Sequence, residues 1–383
     1  MRIVITGASG NLGTALLRRL GESGEQHEIV GVCRRPPPAS SPPYHLAAWQ
    51  AADITDTERL SEIFAGADAV VHLAWAVQPI RDEQWLHHVN VEGSRAVFEA
   101  TRRAGVPHLV HASSVGAYAP SALPVDESSP TTGVPSSIYS RHKVAVEREL
   151  AGFTDLSVAV VRPTLVMQRV ASAGIAALYL RPLVTPFLLR VRPPLLPIPA
   201  GLKLRLVHAD DVADAIISIL EKRATGAFNL SADDTLDRDA LAEVARAKAI
   251  PVPDVLVKAI VALLWRARLI GTSPGWFDLA AVSPLLDTSR ARRELGFSPR
   301  HSSADCAREQ LAGMRAGVRG TSPALSAGKL SGSGEQPDRS TVDGGVRRDY
   351  RTLRRFALAA GTTVLLGLLG RSRRAGATPS SSE

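Results

Sequence analysis

Through the first 165 residues, short runs of consecutive apolar positions alternate with stretches in which apolar residues recur every third or fourth place. Arg2–Thr6, Glu28–Val32, Ala69–Leu73, His108–Ser113 and Ser157–Arg162 are rich in Val and Ile and bounded by Gly, Ser or Pro, the pattern of buried strands. Asn11–Leu20, Asp56–Phe64, Val89–Ala104 and Ser137–Phe153 carry the helical spacing between them. Strand followed by helix, repeated, predicts parallel crossovers and an α/β fold with a doubly wound, Rossmann-like parallel sheet.

After Pro163 the rhythm breaks. Residues 175–201 are apolar but hold Pro182, Pro186, Pro193, Pro194, Pro197 and Pro199, which excludes one continuous helix. A strand at Leu204–Val207, a helix at Asp211–Glu221, a strand at Ala227–Leu230 and a helix starting at Arg238 follow. The expected organisation is a dinucleotide-binding domain over residues 1–165, with elements from 202–232 returning to it, a smaller substrate-binding part over 166–318, and a flexible basic tail over 319–383.

Composition narrows the partners. The 383 residues carry 45 Lys and Arg against 37 Asp and Glu, a net +8, yet residues 321–383 alone hold ten of those cations and only five of the acids. The rest is close to neutral, so no basic face for nucleic acid is expected. Two cysteines, Cys33 and Cys306, point to a reducing, cytoplasmic setting, and Met1-Arg2 leads straight into a strand rather than a secretory leader.

The first strand runs into Thr6-Gly7-Ala8-Ser9-Gly10-Asn11-Leu12-Gly13 and then a helix. Glycines there permit a tight turn and close approach of a pyrophosphate to the helix N-terminus. About twenty residues on, where an acidic residue would hold the ribose of NAD, the chain reads Cys33-Arg34-Arg35. An arginine can pair with a 2′-phosphate, so NADP is the expected cofactor, with NAD as the alternative. Asp53, at the end of the third strand region, either accepts from an adenine amino group or caps the helix after it.

Lysine is rare: six stand beside 39 arginines, and Lys143 is the first of them. It follows Tyr139 by four residues, one helical turn, so a cation and a phenol share a face. The expectation is that Lys143 lowers the Tyr139 pKa and makes it an acid/base. A hydroxyl to polarise a carbonyl should come from a neighbouring strand end, where Ser113 and Ser114 both qualify.

Together these residues resemble the extended short-chain dehydrogenase/reductases, also called NAD-dependent epimerase/dehydratases. The resemblance covers about residues 1–315. It takes in Gly7, Gly10 and Gly13, Asp53, His72-Leu73-Ala74-Trp75, Asn90 in Asn90-Val91-Glu92-Gly93-Ser94, the serine pair, Tyr139 and Lys143. It continues through Arg162-Pro163-Thr164, residues 207–213 and Leu295-Gly296-Phe297-Ser298-Pro299. It implies hydride transfer to or from a carbonyl or alcohol, by an NAD(P)-dependent oxidoreductase or epimerase/dehydratase with Ser114, Tyr139 and Lys143 as catalytic residues. The implied cofactor contacts are Gly7, Ser9, Gly10, Asn11, Leu12, Gly13, Arg34, Arg35, Asp53, Ile54, Leu73, Ala74, Trp75, Asn90, Tyr139, Lys143 and Pro163, with Lys143 on the nicotinamide ribose. Two departures stand out: the acidic residue after the second strand is absent, and Trp75 is bulky where a small residue is frequent. No histidines cluster at metal-ligand spacing, and His87 and His88 are expected to face different ways on a helix, so no metal is assigned.

Leu178, Tyr179, Leu180, Leu183, Val184, Phe187, Leu188 and Leu189 fit either core and lid packing or the lining for an apolar small-molecule substrate, while Arg181, Arg190 and Arg192 would suit a diphosphate. A homodimer is plausible for such a chain. A non-catalytic dinucleotide-binding regulator and a membrane-associated member acting on lipid-like molecules are the alternative readings. In the tail, residues 356–370 are fifteen uncharged positions between two arginine clusters. At about 1.5 Å per residue that segment is too short to span a bilayer, and it predicts either weak peripheral membrane contact or a disordered or self-packed tail.

Overall fold

The computed structural model describes residues 1–77, 81–179 and 195–326. The apolar and arginine positions of 180–194, and the tail with its segment 356–370, lie outside the described residues. Seven parallel strands form the main sheet: β1 (Arg2–Thr6), β2 (Glu28–Cys33), β3 (Ala48–Ala51), β4 (Ala69–His72), β5 (Leu109–Ala112), β6 (Val158–Pro163) and β11 (Gly226–Leu230). Their order is β11-β6-β5-β4-β1-β2-β3, which reverses direction at β1, so the sheet is doubly wound. Helices cover both faces: α1 (Asn11–Glu22), α2 (Thr57–Phe64), α3 (Glu83–His87), α4 (Gly93–Arg103) and α5 (Ile138–Ala151).

The sequence dictates much of this locally. Ile3, Val4 and Ile5 are fully buried because β1 sits between neighbours with helices on both sides. In α1, Leu16, Leu17 and Leu20 make one buried stripe against Val212 and Ile216, while Glu22 stays exposed. Asp56 caps α2 by accepting from the Arg59 N–H, and Ser137 caps α5 by accepting from the Ser140 N–H.

Three expectations are corrected. The helix foreseen over Val89–Ala104 starts with a π-helical turn, His88–Glu92, before α4. His87 and His88 both reach the same carboxylate, Glu92, instead of facing apart. The strand foreseen at Leu204–Val207 is two short pieces, β9 (Lys203–Leu204) and β10 (Leu206–His208), which pair with different strands.

Beyond β6 lie β7 (Leu165–Met167), α6 (Ser172–Tyr179), β8 (Leu195–Pro199), α7 (Ala209–Lys222), β12 (Leu236–Asp237), α8 (Arg238–Ala245), β13 (Lys248–Val252), α9 (Asp254–Arg266), α10 (Pro274–Val282), α11 (Ser289–Leu295) and α12 (Ser303–Ala316). Both α7 and β11 return to the main sheet, the helix packing on α1 and the strand pairing with β6. The rest makes three two-stranded pairs, β7 with β10, β9 with β12 and β8 with β13, beside the carboxyl end of the sheet.

A buried polar network ties α5 to the sheet. Arg162 on β6 donates through Nε (3.0 Å) and Nη2 (2.7 Å) to Glu147 on α5, and through Nη1 to Tyr118 Oη at 2.9 Å. Tyr118 in turn donates a hydrogen bond to Asn229 Oδ1 at 2.8 Å on β11, and Ser113 donates to Glu147 as well. The charged pair is about one tenth exposed on each side. Removing one partner leaves an uncompensated buried charge, so Glu147→Gln should destabilise the fold by roughly 3–5 kcal/mol in urea unfolding, whereas the paired change Glu147→Leu with Arg162→Met should cost clearly less than the sum of the singles. Additive costs would show that the two groups do not depend on each other.

Candidate active site

The glycine loop joins β1 to α1 at the carboxyl edge of the sheet. Gly7 has φ +75°, and a Cβ there would stand 2.6 Å from the backbone nitrogen of Ala74, so only glycine lets this turn lie against the end of β4. Gly13 abuts the Gly7 carbonyl, with an added Cβ 2.5 Å away. The N-cap of α1 is Gly10, which offers no side chain to the helix amides. Thr14 N–H is the first to find its acceptor within the helix, at Gly10 O (3.0 Å), which leaves the amides of Asn11, Leu12 and Gly13 as the donors that a phosphate would engage. This loop therefore fits a dinucleotide.

Side chains around it are already committed. Asn11 donates to Val166 O (3.0 Å) and accepts from Gln168 (2.8 Å), fastening the loop to β7, while Ser9 bonds the Cys33 thiol and Leu12 packs on the core. Arg34 and Arg35 are exposed just beyond β2, Arg34 lying 5.9 Å from the Trp85 ring centre. Asp53 lies past the end of β3, and its carboxylate turns back to the N–H and hydroxyl of Thr55. The helix cap foreseen for it belongs to Asp56. Ile54 is buried against Gly93. Asn90, on the π-helical turn, uses both amide atoms on the backbone of Ala76 (2.7 and 3.0 Å), pinning the segment that carries Leu73, Ala74 and Trp75. Pro163 ends β6, and the Thr164 hydroxyl after it is buried with no hydrogen-bond partner among the described residues.

Ser114, Tyr139 and Lys143 come together at the ends of β5 and α5. Ser114 follows β5, accepts from Gly116 N–H at 3.0 Å and is hydrogen-bonded to Tyr139. Its neighbour Ser113 points to Glu147 instead. Lys143 Nζ donates to Ala112 O at 2.7 Å and lies 3.4 Å from the centre of the Trp75 ring, a close cation–π contact. Tyr139 stands between two indoles, with Trp75 edge-on at 5.9 Å and Trp276 of α10 at 4.7 Å. Leu279 of α10 approaches the same corner at Gly116.

The electrostatics correct another expectation. Enclosure of the Tyr139 hydroxyl raises its pKa above the ordinary 10, and the Ser114 bond is what opposes the rise. Lys143 does not lower it, since Nζ is 5.9 Å from the Tyr139 ring and turned toward Ala112 and Trp75. Burial instead drops the pKa of Lys143 to about 7, with Glu147 pulling the other way. His72, bonded to Thr6 (2.7 Å) and Ser94 (3.0 Å), is held neutral by burial, down to about 3.

Two participants escaped the sequence reading. Glu147 lies one turn beyond Lys143, a spacing that could have revealed it. Trp276 comes from a helix far along the chain, and no local pattern marks it.

The family model described as the NAD dependent epimerase/dehydratase family matches residues 3–231. The chain belongs to that family. An uncharacterized protein of Mycobacterium tuberculosis is 27% identical over 314 residues, 80% of this chain, although the chain spans only 29% of that protein's length. A 3-diazoavenalumate denitrifying reductase from a Streptomyces species is 28% identical over 319 residues, 79% of this chain and 97% of that one. Among solved structures, a UDP-glucose-4-epimerase from Stenotrophomonas maltophila with bound NAD and formylated UDP-arabinopyranose superposes with a TM-score of 0.62 over 82% of this chain and 98% of the other, at 23% identity, a likeness of fold.

The Lys143 pKa has a measurable sign. Below about pH 7 the folded and unfolded chains both hold this proton, and the fold bears the full cost of a buried cation; between about 7 and the ordinary 10.5 only the unfolded chain holds it, so stability from this group rises with pH. The Tm of Lys143→Met minus that of the unaltered protein should therefore be most favourable to the variant below pH 7 and fall by a few degrees toward pH 10, roughly 2–4 °C per kcal/mol. A difference that stays flat over this range would mean that Lys143 titrates normally.

Proposed function

We propose that this family member is an NADP(H)-linked oxidoreductase that interconverts a carbonyl and an alcohol on a flat, largely apolar small molecule. The observation that carries this reading is the placement of Tyr139, hydrogen-bonded to Ser114 and walled by Trp75 and Trp276. A sugar diphosphate needs donors and cations around it, whereas two indoles and Leu279 offer apolar faces on which a ring can stack. The named activity of the Streptomyces relative, a reductase, agrees with a reductive role. The UDP-sugar bound to the epimerase neighbour is the competing substrate class.

When bound, the nicotinamide cofactor supplies or accepts the hydride. Tyr139 holds the proton at Oη and delivers it to the carbonyl oxygen, its high pKa keeping it protonated and competent as the acid in the direction of reduction. Ser114 donates to the same oxygen and orients the phenol. Lys143, close to half protonated at neutral pH, lies one turn along α5 from Tyr139 and supplies positive charge once a ribose and a developing alkoxide are near. Trp75 and Trp276 exclude water. Arg34 and Arg35 are the proposed partners for a 2′-phosphate, exposed past β2 with no acidic residue beside them in the chain.

Two measurements test this reading. Tyr139→Phe should fold and bind cofactor but lose turnover by roughly a hundredfold or more in an NADPH absorbance assay against a panel of aromatic and alicyclic ketones; turnover like that of the unaltered protein removes Tyr139 from the mechanism, and turnover confined to UDP-sugars replaces the substrate class. NADPH should bind roughly ten- to a hundredfold more tightly than NADH by fluorescence titration, with Arg34→Ala/Arg35→Ala erasing the difference. Equal affinities in the unaltered protein would assign NAD.

A further inference from the structure

Helix α9 breaks the rule that a helix with apolar periodicity buries its apolar stripe. Its sequence, Asp254-Val-Leu-Val-Lys-Ala-Ile-Val-Ala-Leu-Leu-Trp-Arg266, contains no buried residue at all. Val255 is 81% exposed, Leu263 68%, Leu256 50% and Ile260 47%. At 100° per residue, Val255, Ala259, Leu263, Leu256 and Ile260 fall within one arc of about 140°, so the exposed apolar residues form a single continuous face. Ile250, on β13 just before the helix, is 40% exposed as well.

Charge in the chain around that face is mostly positive. Between Arg246 and Arg268 there are five cations, Arg246, Lys248, Lys258, Arg266 and Arg268, and one carboxylate, Asp254. Lys258 is paired with Asp278 at 2.7 Å, while Arg246, Lys248, Arg266 and Arg268 are exposed and form no ion pair among the described residues. Trp265, at the end of the helix, is held by Arg81, which stacks 4.4 Å from its ring centre and donates to its carbonyl at 2.6 Å.

We propose that α9 is a docking face for an anionic lipid surface. An exposed apolar arc on a helix flanked in the chain by unpaired cations is what an in-plane interfacial helix requires, and no described helix is long and apolar enough to cross a membrane. A second copy of the chain fits less well, because the chain carries unpaired cations before and after the helix, and a pairing through this face would set those of one copy against those of the other. The placement also has a consequence for the proposed apolar substrate, and this step rests on that reading. Asp278 of α10 bonds Lys258 of α9 on one side and Ser136, three residues before Tyr139, on the other (2.6 Å). One short helix thus separates the lipid-facing arc from the aromatic cleft, so a membrane-dissolved molecule would meet the cleft at the bilayer edge.

The experiment uses the full chain and vesicle flotation, with phosphatidylcholine alone and with about one third phosphatidylglycerol added, at low and high salt. The unaltered protein should float with the anionic vesicles at low salt and with far less of it at high salt. Val255→Asp/Leu263→Asp, both at exposed positions, should cut the bound fraction roughly tenfold with an unchanged melting curve and unchanged NADPH binding in solution. Arg266→Glu/Arg268→Glu should weaken binding to the anionic vesicles selectively. Flotation unaffected by the aspartate pair, absence of flotation in the unaltered protein, or a change from dimer to monomer in the aspartate variant without lipid binding would each overturn the proposal. Because NADPH binding and soluble-ketone turnover are read separately, failure here is distinguishable from failure of the proposed reaction.

Discussion

The pairing of Glu147 with Arg162 is the interaction on which the candidate site depends. Both groups are nearly enclosed, and the loss of either leaves the other as a buried charge without its partner. Their geometry therefore fixes three elements at once: α5 through Glu147, β6 through Arg162, and the end of β5 through Ser113, which also donates to Glu147. With Ser113 turned that way, the alternation of side chains at the strand end leaves Ser114 to meet Tyr139. Arg162 extends the constraint through Tyr118 to Asn229, so β11 is held to the same point.

Lys143 shows what this rigidity permits. A lysine 3% exposed is costly, and the hydrogen bond its ammonium makes is to a neutral carbonyl, Ala112 O. The face of Trp75 offers partial compensation, and the Glu147 charge, one turn along α5, favours the ammonium at longer range. The balance leaves the ammonium near its titration point at neutral pH, unlike an exposed lysine, which would stay charged. Trp75 is thus more than a narrowing of the cleft: it solvates the cation from one side and limits Tyr139 from another.

The parallel sheet was legible because each strand is short, apolar and followed by a helix of clear period, so Arg2–Thr6 could be read to the residue and β6 to within one. The glycine loop, Tyr139 and Lys143 were legible for a related reason: each is a local pattern tied to one turn or one helical repeat. What could not be read depends on distance or burial. The Tyr139 pKa moves opposite to the local expectation, because enclosure outweighs a cation that is near in sequence but aimed elsewhere. The π-helical turn at His88–Glu92 inserts into a run whose period looks helical throughout, and its effect, swinging Asn90 onto Ala76, has no signature in spacing. Trp276 reaches Tyr139 only through the packing of a helix more than a hundred residues away.

That packing also sets the Ser114, Tyr139 and Lys143 cluster apart from the wall that faces it. The Ser114, Tyr139 and Lys143 cluster is built on β5 and α5, which the buried ion pair anchors to the sheet. The far wall belongs to α10, which touches the sheet-bound part at a few definite points: Gly275, packed directly on the Ser136 carbonyl, and Asp278, bonded to the Ser136 hydroxyl. Those points fix where the helix stands without fixing what its other side chains are. Replacing Trp276 or Leu279 would alter the chemistry of the wall and leave the Glu147–Arg162 anchor untouched, since no hydrogen bond of that network involves α10. In the proposed reaction, substrate preference is therefore separable from proton chemistry, and the two indoles around Tyr139 carry that preference.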